Sequence, residues 1–271
     1  MQKLTSILLP LLLFATLFFS SYKTDLSNTR KPVKQRYNVL FIFVDDLRPE
    51  LGCYGNNIVH SPNLDKLAKQ ATVFKNQFVT VPTCGPSRAC LLTGMWPRTA
   101  TDLSNDVLEI RKAENIKTSP GDDRVWGKHT IIEWALRSPL IIKVPGKKQG
   151  TSCDKIVSSI DVYPTLMELC SIKMPHKTDG KSIVPLIETP DKNNWNNVAY
   201  SYYQNGITVR TEQYRFTKYF RKQEPIEELY DHHKDPYENN NIVANHLDVV
   251  KRLLPVWKKG DTGLYTKRKG G

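Results

Sequence analysis

The sequence predicts a layered α/β domain followed by a smaller antiparallel α+β part. Three observations carry this. YNVLFIFVDD holds an unbroken apolar run, Val39 to Val44, of the kind that forms a strand buried on both faces of a parallel sheet. SPNLDKLAKQA sets Leu64, Leu67, Ala68 and Ala71 at i, i+3, i+4 and i+7, an amphipathic helix, before TVFKNQFVT alternates as a strand from Thr72 to Thr80. Near the end, AYSYYQ, GITVRTEQ and YRFTKYF read as successive antiparallel strands.

The elements follow in order. Residues 1–21 combine Lys3, an apolar run from Ile7 to Phe19 and the small pair Ser20 and Ser21. This is the pattern of a secretory signal peptide, so a secreted or periplasmic location is expected. The run is short for a span and Pro10 interrupts it, so no stable membrane anchor is expected. Residues 22–36 are polar and basic, a mobile lead. The α/β domain is expected over 37–190 and the C-terminal subdomain over 191–271.

Ser61 and Pro62 suit the N-cap and first turn of the first helix. A second helix is expected to begin at Cys84, with Pro86 in its first turn and Gly94 as its stop. Unpaired amides at such a terminus favour anions and thiolates. Thr130 and Glu133 have capping-box spacing for a short helix, and Pro139 to Val144 reads as another buried strand. SSIDVYPTLMELC reads as a helix that tolerates Pro164 only near its start, and a last helix runs from about Ile242 to Lys259 before Gly260.

The net charge of +12 suits an acidic partner, such as a sulfated or uronic polysaccharide, an anionic surface or nucleic acid. The five cysteines are Cys53, Cys84, Cys90, Cys153 and Cys170. An odd number in an exported chain leaves at least one thiol unpaired or chemically special. With Cys84 set aside, Cys153 to Cys170 is the expected disulfide.

CGPSR, Cys84 to Arg88, contains C-x-P-S-R, and ACLLTG continues it. A chance match to four fixed positions in a chain of this length is about one in a thousand. The stretch resembles the sulfatase signature. Other segments resemble sulfatases too: the run ending in Asp45 and Asp46, LGCYGN, SPNLDKLA, GKHT, PLIIKVPG, IDVYPTL, DGKSIVPLI and ELYDHHKDPYENNNI. Together they are similar to the iduronate-2-sulfatase-like branch.

The resemblance implies an alkaline-phosphatase-like sheet with helices on both faces, incomplete here. It implies that Cys84 is oxidised to formylglycine by a formylglycine-generating enzyme. One hydroxyl of the hydrated aldehyde would attack the sulfur of a sulfate ester and release the alcohol; the other would then expel sulfate and restore the aldehyde. Asp45 and Asp46, with the modified Cys84, would hold Ca2+ or Mg2+. Arg88 would stabilise the charged diol and Lys128 the sulfate. The implied substrate is a sulfated sugar or glycan, and nucleic acid is not a partner. His232 and His233 match a structural loop, and Cys53 and Tyr54 read as structural.

The resemblance also has a gap. Sulfatases of this branch carry a G-K-x-x-H segment and, about a dozen residues before the lysine matched by Lys128, an Asp followed by His or Asn. Neither is present: Glu114, Asn115 and Ile116 occupy the second place. Ile116 to Thr118 looks like an early segment and Gly121 onward like a late one, so an internal deletion is expected near Ser119 and Pro120. Asp122 and Asp123 are the nearest substitutes for the lost ligands. A non-catalytic remnant that binds sulfated glycans is the rival reading. A cysteine phosphatase is argued against, because position 90 holds Cys90 where that chemistry needs arginine.

Overall fold

A computed structural model describes residues 37–105, 130–147 and 149–266. After helix α1 (Pro62–Ala68) comes strand β1 (Thr72–Phe78), on which the first sheet is built. Helix α2 (Cys84–Thr93) follows, then the short helix α3 (Glu133–Leu136), which leads directly into β2 (Arg137–Ile142). Strand β3 (Thr151–Ser158) and helices α4 (Val162–Leu169) and α5 (Val184–Glu188) complete this part. Strand β1 lies between β2, antiparallel to it, and β3, parallel to it. Its central place buries both of its faces, so the alternation expected from Thr72 to Thr80 is absent. Phe74, Cys153 and Val157 pack with Ile183, Leu186 and Ile187 of the α5 segment.

The second sheet is a four-stranded antiparallel meander: β4 (Ala199–Tyr203), β5 (Gly206–Arg210), β6 (Tyr214–Tyr219) and β7 (Glu227–Asp231). Helix α6 (Leu247–Lys259) covers it. Val249, Leu253 and Trp257, spaced four apart, meet Tyr202, Ile207, Val209 and Phe216 in the larger core. Trp257 Nε1 donates to the Ile207 carbonyl at 2.9 Å, which satisfies the indole inside that core. The two sheets are joined where β1 ends: Tyr202 N donates to Thr80 O at 2.9 Å and Ser201 Oγ to Val79 O at 2.6 Å.

Four expectations are corrected. Val39 to Val44 form no strand; they are irregular and exposed, from 44% at Phe41 to 85% at Leu40. They stand off from β2 and α4 across a groove lined by Leu140, Ile142, Leu166 and Leu169. A run built for burial on both faces has no ladder partner among the described residues. Second, no disulfide joins Cys153 to Cys170. The Cys153 side chain points into the core and donates to Pro190 O at 3.4 Å; burial pushes its thiol up to about 11. Third, α3 starts at Glu133 with Ile132 as its N-cap, so Thr130 and Glu133 form no capping box. The Glu133 carboxylate is held elsewhere, as described next. Fourth, the last helix starts at Leu247 rather than near Ile242, after a single 3-10 turn at Val243–Asn245.

A buried charge network ties α3 to the second sheet. The Arg215 side chain is 1% exposed and engages both carboxylate oxygens of Glu238 through Nε and Nη2, the latter at 2.7 Å. His232 Nε2 lies 2.8 Å from Glu238 Oε1, and the Glu133 amide donates to Glu238 Oε2 at 3.0 Å. Arg210 Nε donates to Glu133 Oε2 at 2.9 Å. Burial alone would raise the Glu238 pKa; the bonds from His232 and Arg215 overcome this and hold it at about 2. Glu238 also adopts φ 58°, a costly left-handed conformation for a residue with a Cβ, and these partners hold it there.

Two outcomes are expected. Glu238 is depressed from 4.5 to about 2 on folding, so its contribution is complete above pH 4.5 and disappears as pH falls toward 2. Glu238→Gln should flatten that acid limb in chemical denaturation and lower stability by about 3–5 kcal/mol, because the buried Arg215 keeps only the longer 3.9 Å ion pair with Glu228. The double substitution Leu40→Lys, Ile42→Lys should change unfolding stability by less than about 0.5 kcal/mol, because both side chains face water. It should raise soluble yield and reduce light scattering, because an exposed uncharged strand-forming run promotes association.

Candidate active site

Cys84 is the first residue of α2, reached by the five-residue loop that leaves the carboxyl end of β1. In open α/β sheets, that end of the strands is where ligand sites gather. Gly94, at φ 67°, ends the helix in the left-handed conformation that glycine adopts freely. The helix packs through its own Cys90 against Val81 and Ile160. Its first turn is fixed from outside: Thr83 makes no side-chain cap, and Asn105 Oδ1 accepts from Gly85 N at 3.1 Å. A Cβ on Gly85 would lie 2.9 Å from the Asn105 Cα, so only glycine fits beside the cysteine. Asn105 has no signal in the sequence; tertiary packing alone brings it here.

The far end of the helix is held by a buried carboxyl. Asp161 accepts from Ser158 N and Lys181 N at 2.8 and 2.9 Å, and burial pushes it up to about 6. The segment it positions returns Asp179 N and Gly180 N to Gly94 O. Asp179 also receives both a salt bridge from Arg98 and the Trp96 amide.

Asp45 and Asp46 occupy a turn directly after the exposed apolar run, Asp46 at φ 56°. One ligand atom each from Asp45, Asp46 and Cys84 lies within 4.8 Å of the others. Cys84 Sγ is 3.7 Å from Asp45 Oδ1, and Arg88 Nη2 donates to the same oxygen at 3.2 Å. The Arg88 guanidinium also lies over the Phe43 ring at 5.6 Å. The Arg88–Asp45 pair is open to solvent, with Asp45 57% exposed, and such pairs contribute only about 0–1 kcal/mol. Lys128, His129, Asp122 and Asp123 lie outside the described residues.

The two carboxylates are hard, anionic donors, which suits calcium or magnesium; the Cys84 sulfur is a soft donor and fits such an ion only where an oxygen replaces it. Three protein donors are fewer than the six to eight oxygens calcium takes, so they supply part of a shell. A second group, Glu133, His232 and Glu238, has comparable spacing. There Arg210 and Arg215 already neutralise the carboxylates, so that cluster is structural.

Comparison with known proteins is decisive. The sulfatase family profile matches residues 37–118, and the profile of the N-sulphoglucosamine sulphohydrolase C-terminal region matches 121–255. This chain belongs to the sulfatase family. The two matches leave only Ser119 and Pro120 between them, at the place where the sequence points to a deletion. Human iduronate 2-sulfatase is 55% identical over 62 residues, 23% of this chain and 11% of that protein. An ulvan-active sulfatase of Formosa agariphila is 21% identical over 384 residues, covering 79% of this chain and 77% of that protein. That alignment is longer than the 271-residue chain itself, so the relative carries a long stretch that this sulfatase lacks. The crystal structure of Ps i-CgsB superimposes with a TM-score of 0.61 at 14% identity, over 86% of this chain and 94% of that one. A Bacteroides thetaiotaomicron structure assigned to the sulfatases gives 0.60 at 15% identity, over 80% and 91%. The fold is thus alkaline-phosphatase-like, as the sequence resemblance implied. Among the described residues no helix is long and apolar enough to cross a membrane.

If Asp45 supplies part of the metal shell, Asp45→Ala should weaken calcium binding, measured by calorimetry, by roughly tenfold or more. Unchanged affinity would remove Asp45 from the site.

Proposed function

We propose that this sulfatase hydrolyses sulfate esters of a sugar or glycan, with Cys84, converted to formylglycine, as nucleophile. The observation that carries the reading is the meeting of Cys84, Asp45, Asp46 and Arg88 at the start of α2. The tight glycine-only fit at Gly85 supports it, because it holds the first turn in one geometry. Arg88 stands where it can donate to a hydrated aldehyde or to a sulfate oxygen and balance the charge that develops. Asp45 orients that guanidinium and, with Asp46, would hold Ca2+ or Mg2+. A bound cation would supply charge to polarise the sulfate. Lys128 is proposed as a further sulfate contact.

The sugar substrate is supported by the relatives. Besides iduronate 2-sulfatase, an N-acetylglucosamine-6-O-sulfatase of Bacteroides thetaiotaomicron is 36% identical over 103 residues, 38% of this chain and 17% of that protein. The +12 charge favours anionic substrates of this kind. We also propose export, on the strength of residues 1–21, and modification by a formylglycine-generating enzyme.

The test is turnover of a small aryl sulfate with added calcium, after co-expression with a formylglycine-generating enzyme. Conversion of Cys84 is read by mass spectrometry. Conversion with turnover is expected. Cys84→Ala should reduce the rate by roughly 10³-fold or more, with an unchanged unfolding curve. Turnover surviving in that variant would show that another group is the nucleophile. Full conversion in a folded protein without turnover would overturn the hydrolytic reading.

A further inference from the structure

An aromatic platform stands beside the proposed active site. Trp134, 40% exposed, and Tyr237, 63% exposed, stack with ring centroids 5.7 Å apart and planes 14° from parallel. The Arg48 guanidinium lies over the Trp134 ring, 4.0 Å from its centroid. Arg48 is two residues beyond Asp46, so the two Cα atoms are within about 7 Å of each other. Cation, indole and phenol therefore form one stacked set, and its cation lies two residues along the chain from the carboxylate pair.

The platform is built rather than incidental. Trp134 follows Glu133 and Tyr237 precedes Glu238, and the Glu133 amide donates to the Glu238 carboxylate at 3.0 Å. That bond belongs to the buried Arg210 and Arg215 network, so the two rings are mounted on the most constrained part of the fold. Burial does not explain the exposed rings themselves. Large exposed aromatics that are held rigid are the usual apolar element of a binding surface, because little side-chain entropy is lost on contact. Arg48 contributes the polar element. Its side chain pairs with Glu50 at 3.3 Å, with both about half exposed, and such a pair exchanges for a ligand anion at a cost of about 0–1 kcal/mol.

We propose that Arg48, Trp134 and Tyr237 form a subsite for a sugar ring of the substrate. The Tyr237 face stacks on the apolar face of a pyranose, and Arg48 bonds an anionic substituent between that ring and the reacting sulfate. This rests on the proposed saccharide substrate and assigns the residues that select it.

The probe is a β-1,4-linked N-acetylglucosamine disaccharide carrying one 6-sulfate. Its single charge keeps general attraction to the basic protein small. Saturation-transfer NMR on the full chain reads sugar-ring contact whether or not Cys84 is converted. Binding is expected, retained in Tyr237→Phe, which keeps the ring, and weakened about tenfold or more in Tyr237→Ala. Tyr237 is exposed, so both variants should fold, which thermal unfolding checks. Equal binding by wild type, Phe and Ala variants, or none by wild type, would overturn the subsite. With the converted enzyme, Tyr237→Ala should lower the ratio of disaccharide to aryl-sulfate kcat/KM about tenfold. An unchanged ratio would assign the ring a structural role and overturn the proposal. Absence of turnover on both substrates would count against the proposed hydrolysis alone, and the binding series would still decide the subsite.

Discussion

Arg215 is the constraint around which the carboxyl half of this sulfatase is arranged. A guanidinium 1% exposed needs compensation, because a lone buried charge costs several kcal/mol, a large share of a domain's stability. Glu238 supplies the opposite charge with bidentate geometry, and reaching it forces that residue to φ 58°. The same carboxylate takes a bond from His232 and the amide of Glu133, and Glu133 in turn neutralises Arg210. One charge requirement thus fixes the loop after β7, the entry to α3 and the register of β2, which follows α3 without a break.

The site depends on a second, apolar constraint. Among the described strands of its sheet β1 alone has neighbours on both sides, and its carboxyl end carries the loop to Cys84. Val81 and Ile160 meet the helix at its Cys90, while Asn105 and the Asp161 to Gly180 segment hold its two ends. The cysteine is placed with little freedom. The carboxylates opposite it are not: they sit on a solvent-open turn at the end of a run that packs only loosely.

That run is where the shortened chain shows its loss. Six consecutive apolar residues belong inside a sheet, and here they face water beside a groove. The family matches stop at residue 118 and resume at residue 121, and an alignment to a full-length relative needs more positions than this chain has.

Local sequence determined much of this protein. The pattern Cys-x-Pro-Ser-Arg before an apolar stretch and Gly94 specified a helix from its first residue to its cap, because proline and glycine act through their own backbone. Three of the four strands near the end were legible as antiparallel strands, and the deletion from mismatched segments. Tertiary structure decided the rest. Whether Val39 to Val44 became a strand depended on partners elsewhere in the chain, and a periodicity cannot report a missing partner. Whether Cys153 met Cys170 depended on which way each side chain faced. Asn105 beside Gly85, and Trp134 upon Tyr237, are neighbours 20 and 103 positions apart along the chain. No spacing rule links them; only the closure of the fold around its buried charges brings them together.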